Sequence, residues 1–177
     1  MDVPAGVWNA CANPVGYNPF VSHEFFAALE QSGSATAKTG WAGQHLICES
    51  DRGVIEGIAP SYLKSHSQGE YVFYHGWADA FHRAGGRYYP KLQCSVPFTP
   101  VTGPRLLSAR PEVRKVLAQG LVALCSQVSA SSAHVAFLPE DAWTAADQPQ
   151  WLQRQDIQFH WHNLGYANFA EFLASLS

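Results

Sequence analysis

Charged side chains are scarce in this sequence. Lysine, arginine, aspartate and glutamate make up 14% of its 177 residues, whereas hydrophobic residues make up 47%. Soluble domains typically carry about 25% charged residues. Because the net charge is -3 and no basic run occurs, the sequence gives no electrostatic signal for nucleic-acid binding. A lightly charged chain rich in aromatic residues predicts that part of its surface is covered in the native assembly.

Long hydrophobic runs are also missing. No apolar run approaches the roughly 20 residues that a membrane-spanning helix needs. The start, MDVPAGVWNACANP, has neither the basic segment nor the apolar segment of a signal peptide. We therefore expect no membrane span and a cytoplasmic location. The length suffices for one hydrophobic core, so we expect a single domain over residues 1–177.

The sequence lacks the short motifs that indicate a cofactor or an activated nucleophile. No GxSxG, P-loop or GxGxxG pattern occurs. The loop by which common acetyltransferases hold a pyrophosphate (Gln or Arg, two residues, Gly, one residue, Gly or Ala) is missing as well. Widely spaced cysteines without a CxxC pair are typical of small buried thiols rather than of disulfides or a zinc site. They are Cys11, Cys48, Cys94 and Cys125. We therefore predict no metal and no cofactor for this chain.

The pattern of the first half indicates a helix followed by three strands. Ser22 is the expected cap of the helix. Strands are expected at residues 45–50, 54–66 and 70–74, as an antiparallel meander. Pro60 interrupts the second strand because proline cannot donate a hydrogen bond to a sheet. A short helix around Trp77 to Arg83 follows.

The second half alternates helices and strands after one unusual segment. Residues 87–107, RYYPKLQCSVPFTPVTGPRLL, contain four prolines, which argue against a regular central strand or helix. The apolar residues of this segment predict a structured loop that packs onto the domain. A long helix from Ser108, a strand at 133–138, a helix over 139–154 and a strand at 157–163 follow. The order predicts an α/β (α+β) fold with a mainly antiparallel mixed central sheet flanked by helices.

Two histidines in the last predicted strand raise the question of a metal site. His160 and His162 are two residues apart, so they would share one face of a strand. A metal site needs at least a third ligand, and no His or carboxylate cluster lies nearby in sequence. We expect the pair to line a polar seam without binding metal, while Phe159 and Trp161 fill the core on the other face.

The sequence ends in a helix that has a start signal but no stop signal. Asn168 is the expected N-cap, and Glu171 is placed three residues on, as in a capping box. No glycine or asparagine follows the apolar stripe, and no lysine or arginine lies in the last turn. Two interpretations stay open: a helix that frays into solvent, or the first part of a longer polypeptide. The second predicts an exposed apolar surface, bordered by this helix and the proline-rich segment, and self-association as a dimer.

Five segments resemble one protein family, in the same order along the chain. The longest is SYLKSHSQGEYVFYHGWADAFHRAGGRYYPKLQCSVPFTPVTGPRLL, residues 61–107. The others are PFVSHEFFAALEQSGSA, GWAGQHL, SSAHVAFLPE and QFHWHNLGYANFAEFLASLS. Together they resemble the bacterial FemAB-like proteins, the peptidoglycan biosynthesis/recognition family.

The resemblance implies a GNAT-like acyl-CoA N-acyltransferase fold. It also implies two such domains in tandem, of which this chain is the N-terminal half and a C-terminal domain the missing partner. The activity implied is transfer of an acyl or aminoacyl group to an amine, with a peptidoglycan precursor as acceptor. The donor in the full-length protein would be acyl-CoA or aminoacyl-tRNA, and the half alone is expected to be inactive.

Candidate substrate-binding residues come from two segments. Tyr62, Lys64 and His66 share one face of the second predicted strand, where a lysine can hold a phosphate or a carboxylate; the alternative is a solvated edge lysine. The proline-rich segment carries polar and aromatic groups on a rigid loop, which suits a binding site, although the loop could equally be a structural cover. Its candidates are Tyr89, Lys91, Gln93, Thr99 and Thr102. The catalytic residues are unknown, with Glu70 and His75 as candidate bases.

Two functions from different classes stay open at this point. One is a FemAB-like N-acyltransferase, of which this chain is one domain. The other is a non-catalytic module that recognises a ligand or docks a partner domain. The missing pyrophosphate loop favours the module for this chain, whereas the family resemblance favours the transferase for the full-length protein.

Overall fold

The computed structural model describes residues 3–72, 75–145 and 150–176. The chain forms two compact units, Met1–Asp147 and Gln148–Ser177. The first unit holds the sheets and most of the helices, and the second holds one helix after an extended segment.

The described residues of the first unit alternate helices with short strands. The helices are α1 (Ala5–Ala12), α2 (His23–Gln31), α3 (His75–Arg83), α4 (Pro111–Gln127) and α5 (Glu140–Ala145). Short 3-10 turns lie at Pro19–Val21 and Ala37–Thr39. The strands are β1 (Trp41–Gly43), β2 (Leu46–Glu49), β3 (Ile55–Ala59), β4 (Ser61–Lys64), β5 (Lys91–Cys94) and β6 (Ala133–Val135).

The strands form two sheets. In the four-stranded sheet the order is β1-β4-β5-β6, with β4 antiparallel to both β1 and β5, and β6 parallel to β5. The second sheet is the antiparallel pair of β2 and β3. The predicted class is therefore confirmed: a mixed α/β fold whose sheet is mainly antiparallel and flanked by helices.

Pro60 divides the second predicted strand between the two sheets. Residues on one side of it form β3 and those on the other form β4, so a single sequence pattern contributes to both sheets. The next residue, Ser61, donates its backbone N–H to Nδ1 of His45 at 3.1 Å. Proline lacks a donor and favours such a change of direction.

The proline-rich segment contains a central strand, which the sequence analysis had argued against. Strand β5 fits between Pro90 and Pro97, and every residue of it is buried. It pairs with β4 on one side and β6 on the other. The prediction was wrong because all four prolines lie outside β5, whose backbone N–H groups are available to pair with β4 and β6. The rest of the segment is irregular and packed, with Val96 and Leu107 buried, as predicted.

One further sequence prediction fails in the first unit, and one helix was missed. Glu70 lies in a turn rather than in a strand, and residues 73–74 lie outside the described part of the chain. Helix α1 was not predicted, because its N-cap is Pro4, which makes no side-chain cap bond, and Gly6 lies in its first turn. The cap of α2 by Ser22 is confirmed, since the Ser22 side chain accepts from the N–H of Phe25.

Helix α4 covers strands β2 and β3. Its residues Val113, Leu117 and Leu121 are buried, whereas Val116 is 52% exposed. Helix α4 approaches β3 closely at Gly57, where an added Cβ would lie 2.6 Å from Cγ1 of Val113.

The second unit consists of an extended segment and helix α6 (Phe169–Ala174). Asn168 caps α6, since its side chain accepts from the N–H of Glu171 at 3.0 Å, as predicted. The Glu171 carboxylate reaches back to the N–H of Ala167 at 2.9 Å, one residue before the expected position.

The predicted strand at 157–163 is wrong. This segment is neither strand nor helix, and Phe159 is 97% and Trp161 63% exposed rather than buried in a core. The predicted helix over 139–154 is also shorter than expected: α5 covers Glu140–Ala145, residues 146–149 lie outside the described chain, and Trp151 lies outside any helix. Local apolar pattern alone cannot make a strand without a neighbour to pair with.

We predict opposite effects for two glycine substitutions. Gly57→Ala should lower the free energy of unfolding by about 1–3 kcal/mol, because the methyl group collides with α4. Gly6→Ala should raise it by about 0.5 kcal/mol, since no described atom lies within 4 Å of its added Cβ. Urea denaturation of both variants checks this, and an unchanged Gly57→Ala midpoint would show that α4 does not pack on β3 as described.

Candidate functional site

One face of the four-stranded sheet carries half of the predicted binding residues. Directly opposite residues of paired strands point to the same face. The register pairs Lys64 with Lys91 and Tyr62 with Gln93, so these four side chains share a face. The neighbouring strands add Trp41, which pairs with Lys64, and His134, which pairs with Gln93.

A buried lysine cluster lies at one end of this face. We define the lysine cluster as Lys64, Ser67, Glu70, Tyr89 and Lys91. Nζ of Lys91 lies 2.7 Å from Oε2 of Glu70, and both side chains are 0% exposed. Oγ of Ser67 accepts a hydrogen bond from Lys91 at 3.2 Å and another from the Tyr89 hydroxyl at 2.7 Å.

Lys64 is the second cation of the lysine cluster. It is fully buried, with Nζ 3.5 Å from the ring centroid of Trp41 and 3.3 Å from the carbonyl oxygen of Gln68. The pKa of Lys64 is lowered from 10.5 to about 8: burial is the main cause, Glu70 opposes it, and the charge of Lys91 adds to it. Lys64 is therefore not a solvated lysine at the sheet edge, which was the alternative interpretation of its sequence position.

The lysine cluster carries more positive charge, and this face more hydrogen-bonding atoms, than the described residues around them pair with. It holds two ammonium groups and one carboxylate. Within the described ranges, Oε1 of Glu70 and both amide atoms of the fully buried Gln93 have no hydrogen-bond partner. Each buried unsatisfied polar group costs about 1–3 kcal/mol. Such groups are uncommon in folded proteins, so they mark this face as a candidate site.

Two loops close over this face. Phe98 donates its backbone N–H to the carbonyl oxygen of Gly69 at 3.1 Å. Its ring packs against Trp41 with centroids 5.5 Å apart, and a Cβ on Gly69 would lie 2.5 Å from that ring. Gly69 has a φ of +77°, which also favours glycine. The loops that contain Gly69 and Phe98 are therefore in direct contact beside Trp41.

The remaining candidates lie elsewhere. His66 follows the end of β4, and its Nδ1 accepts from the N–H of Gln68 at 3.2 Å. Thr99 donates to the Pro97 carbonyl at 3.0 Å within its own loop, and Thr102 is exposed. The side chain of His75 lies outside the described residues.

Tyr62 belongs to a second polar group, which we call the Glu30 network: Glu30, His45, Ser61 and Tyr62. Oε1 of Glu30 accepts from Nε2 of His45 at 2.7 Å and from the Tyr62 hydroxyl at 3.1 Å. Because Nδ1 of His45 accepts from the Ser61 N–H, we assign the ring proton to Nε2.

The hydrogen bonds set the protonation of this network. The hydrogen bond from His45 holds the pKa of Glu30 below its usual value, against the opposing effect of burial. Burial raises the pKa of Tyr62, so its hydroxyl remains a donor. Glu30 is therefore an ionised acceptor.

Sequence reasoning did not identify Trp41, Ser67, Glu30 or His45. No local motif marks any of them. Their roles come from contacts between residues distant in the chain, such as Glu30 with Tyr62 and Trp41 with Lys64. The segments GWAGQHL and PFVSHEFFAALEQSGSA contain three of the four, so family resemblance was the one available signal.

His160 and His162 do not share a strand face as predicted. Their rings stack with centroids 6.3 Å apart in the extended segment of the second unit. Nε2 of His160 lies 3.3 Å from Oε1 of Gln158. In the part of the chain that the structure describes, no group of three or more His, Cys, Asp or Glu side chains could hold a metal ion. No helix in the described ranges is both long and apolar enough to cross a membrane.

The cysteines of the described chain are all free thiols. Cys11 and Cys94 are buried, and Cys48 and Cys125 are half-buried, which agrees with the sequence prediction. Burial raises the pKa of Cys94 to about 12, so this thiol stays protonated and is not an activated nucleophile.

We predict that Lys64→Met stabilises the protein. It should raise the free energy of unfolding at pH 7 by about 1–3 kcal/mol, because it removes a buried ammonium that lacks its own carboxylate. In the wild type the unfolded chain keeps the Lys64 proton up to pH 10.5, whereas the folded chain releases it near pH 8. Stability should therefore rise with pH between these values, and Lys64→Met should abolish that rise.

Urea denaturation between pH 7 and pH 10.5 measures both effects. Lys115→Met is the matched control, since Lys115 is exposed on α4 and should change neither the stability nor its pH dependence. A Lys64→Met variant that is less stable than the wild type at pH 7 would refute the interpretation.

We predict that Lys91→Met, unlike Lys64→Met, destabilises the protein. It should lower the free energy of unfolding by about 3 kcal/mol, because it leaves the buried Glu70 carboxylate without its ion-pair partner. Adding Glu70→Gln should recover part of this loss, and a double-mutant cycle measures the coupling. Additive effects of the two substitutions would mean that the ion pair contributes nothing to stability.

Comparison with known proteins bears on what this site is for. The family model described as peptidoglycan biosynthesis/recognition, FemAB-like, matches residues 1–177. No curated protein and no solved structure matches the chain significantly. The family match spans the sheet face, the lysine cluster and the Glu30 network together. This chain belongs to the FemAB-like family.

Proposed function

We propose that this chain is a domain of an N-acyltransferase that acts on a peptidoglycan precursor. In this proposal an acyl or aminoacyl group passes from acyl-CoA or aminoacyl-tRNA to an amine of the precursor, in the cytoplasm, on a GNAT-like fold. The observation that carries the proposal is the buried lysine cluster, with its excess of cations and unsatisfied polar atoms, in a chain that belongs to the FemAB-like family.

The lysine cluster has groups that this reaction needs. Both proposed donors carry several phosphate groups, and an ammonium in a dry site attracts such anions strongly. Lys91 is held in place by Glu70, so it is oriented as a fixed hydrogen-bond donor for a phosphate or for a developing oxyanion.

Lys64 is suited to the proton transfer. An amine nucleophile must lose a proton as it attacks the acyl carbonyl. With a pKa of about 8, Lys64 is present in both protonation states close to neutral pH, so its neutral form can accept that proton. Glu70, a candidate base in the sequence analysis, is engaged by Lys91 and takes the orienting role instead.

A recognition or docking module without activity is the second candidate. Two observations favour it: the loops close over the lysine cluster, and the acetyltransferase pyrophosphate loop is missing from the sequence. In both candidates we propose a second domain of the same polypeptide as the partner, with a second copy of the chain as the alternative. The exposed apolar side chains of α6, Phe169 at 70% and Leu173 at 50%, support a covering partner.

A transfer assay tests the proposal. The protein, as this chain and as the longest polypeptide that contains it, is incubated with a peptidoglycan precursor peptide and either charged tRNA or acyl-CoA. Mass spectrometry detects the added group. Lys64→Met should lower the rate about 100-fold, because it removes both the cation and the base. Lys115→Met should have the wild-type rate.

The outcomes separate the two candidates. Equal rates for Lys64→Met and Lys115→Met would exclude the lysine cluster as the site. Binding of the precursor without transfer from either donor would favour the recognition module.

A further inference from the structure

Arg105 carries a buried positive charge that no carboxylate of the described chain balances. Its side chain is 2% exposed. None of the ion pairs among the described residues includes it. Burial lowers the pKa of Arg105 from 12.5 to about 10, so the guanidinium stays protonated at neutral pH. Buried charges in folded proteins are normally paired, because desolvation disfavours an isolated one strongly.

The same guanidinium has hydrogen-bond donors that the described residues do not use. Nη2 donates to the carbonyl oxygen of Val101 at 2.5 Å, and Nη1 donates to the carbonyl oxygen of Pro104 at 3.0 Å. Nε has no partner within the described ranges. A guanidinium has five N–H groups, so these two bonds leave donors free. The loop around Arg105 therefore accepts part of its hydrogen bonds but supplies no negative charge.

A gap beside Gly103 borders this charge. Gly103 is buried, and a Cβ added to it would lie 3.2 Å from Nδ2 of Asn18 and 3.3 Å from Nη1 of Arg105. Apart from Gly103 and its chain neighbours, no other described heavy atom lies within 4 Å of that position. At this point the gap is therefore bordered by two nitrogen donors and by no acceptor.

The orientation of the Asn18 amide is fixed by its neighbours. Its Oδ1 accepts from the N–H of Phe20 at 3.0 Å, so Nδ2 is the atom that borders the gap. The N–H of Asn18 donates to Oδ1 of Asn13 at 2.8 Å, which holds the turn in place. Nδ2 of Asn13 is buried and has no acceptor within the described chain. This turn therefore presents an amide donor, rather than an acceptor, to the gap.

The gap is separate from the lysine cluster. Cys94 follows Gln93 on β5, so its side chain points to the opposite face of the sheet. The Cys94 thiol donates to the carbonyl oxygen of Arg105 at 3.5 Å. The backbone at Arg105 is therefore attached to the face opposite to that of Lys91 and Gln93.

We propose that this gap binds a small monovalent anion of the size of chloride, held between the Arg105 guanidinium and the Asn18 amide. One negative charge balances one guanidinium, and hydrogen bonds between a charged donor and an anion are strong. A bulky anion is excluded, because Arg105 and Gly103 are both buried. The bound anion links the turn before α2 to the end of the proline-rich segment. The inference concerns a different face from the proposed function and does not depend on it.

Thermal unfolding of the full chain in sodium chloride and in sodium gluconate tests the proposal. At equal ionic strength the two salts screen surface charges equally, whereas gluconate is too large for the gap. An anion that binds only the folded state raises Tm with the logarithm of its concentration. Above the dissociation constant, each tenfold increase in chloride should raise the wild-type Tm by about 3–5 °C. Line broadening in ³⁵Cl NMR measures the binding directly and should saturate.

Two variants remove the site in different ways. Asn18→Asp keeps the oxygen that accepts from Phe20 and places a carboxylate oxygen next to Arg105, so the chain supplies its own anion. Gly103→Ala fills the gap with a methyl group, and its φ is not in the left-handed region, so alanine suits the backbone. Both variants should lose the chloride-dependent rise in Tm and the ³⁵Cl broadening. Asn18→Asp should also have a higher Tm than the wild type in gluconate.

Asn168→Asp is the matched control. Asn168 also accepts from a backbone N–H at the start of a helix, but it is exposed in the second unit. Its variant should therefore respond to chloride like the wild type.

Three outcomes would overturn the inference: a wild-type Tm that rises no more in chloride than in gluconate, a full chloride response in Asn18→Asp, or a full response in Gly103→Ala. If one of the two variants fails to fold, the other decides. None of these measurements uses an acyl donor or a peptidoglycan precursor. Failure of the transfer assay would therefore leave this inference standing, and loss of the chloride response would leave the proposed function standing.

Discussion

The ion pair between Lys91 and Glu70 constrains much of the first unit. Both charged side chains are fully buried. Removing either one would therefore leave the other as an unpaired buried charge, with a large desolvation penalty. The pair joins the central strand β5 to the turn that contains Glu70, and it fixes where that turn crosses the sheet face. The charge of Glu70 is thus already paired with Lys91, and the Lys64 ammonium contacts the Trp41 ring and one carbonyl group.

Strand β4 links the two polar groups of this face. Tyr62 and Lys64 are two residues apart and point the same way, yet Tyr62 joins the Glu30 network and Lys64 joins the lysine cluster. Trp41 lies against both, edge-on to Tyr62 with centroids 5.4 Å apart and under the Lys64 ammonium. One short strand therefore positions an anionic site and a cationic site on the two sides of an indole ring.

Much of the local structure was predictable, because caps and turns depend on neighbours in sequence. Ser22 and Asn168 cap their helices as predicted, and Pro60 breaks its strand. The candidates Tyr62, Lys64, Lys91 and Gln93 come from two segments of the sequence, and only strand pairing places them on a single face. The errors occurred where pairing decides the structure. The apolar run at 157–163 has no strand neighbour, and β5 becomes a strand because β4 and β6 flank it.

The sequence by itself determined the fold class, the family and the residue types available for chemistry. Residue pattern and composition carry that information locally. Only the tertiary structure decided the burial and the partners of each group. Lys64 is buried rather than solvated, Glu70 forms an ion pair with Lys91, and Glu30 lines a cavity. These properties depend on desolvation and on partners far away in the chain, such as Glu30 and Tyr62, 32 residues apart. No local pattern encodes them, because the energy of a charge depends on everything that surrounds it.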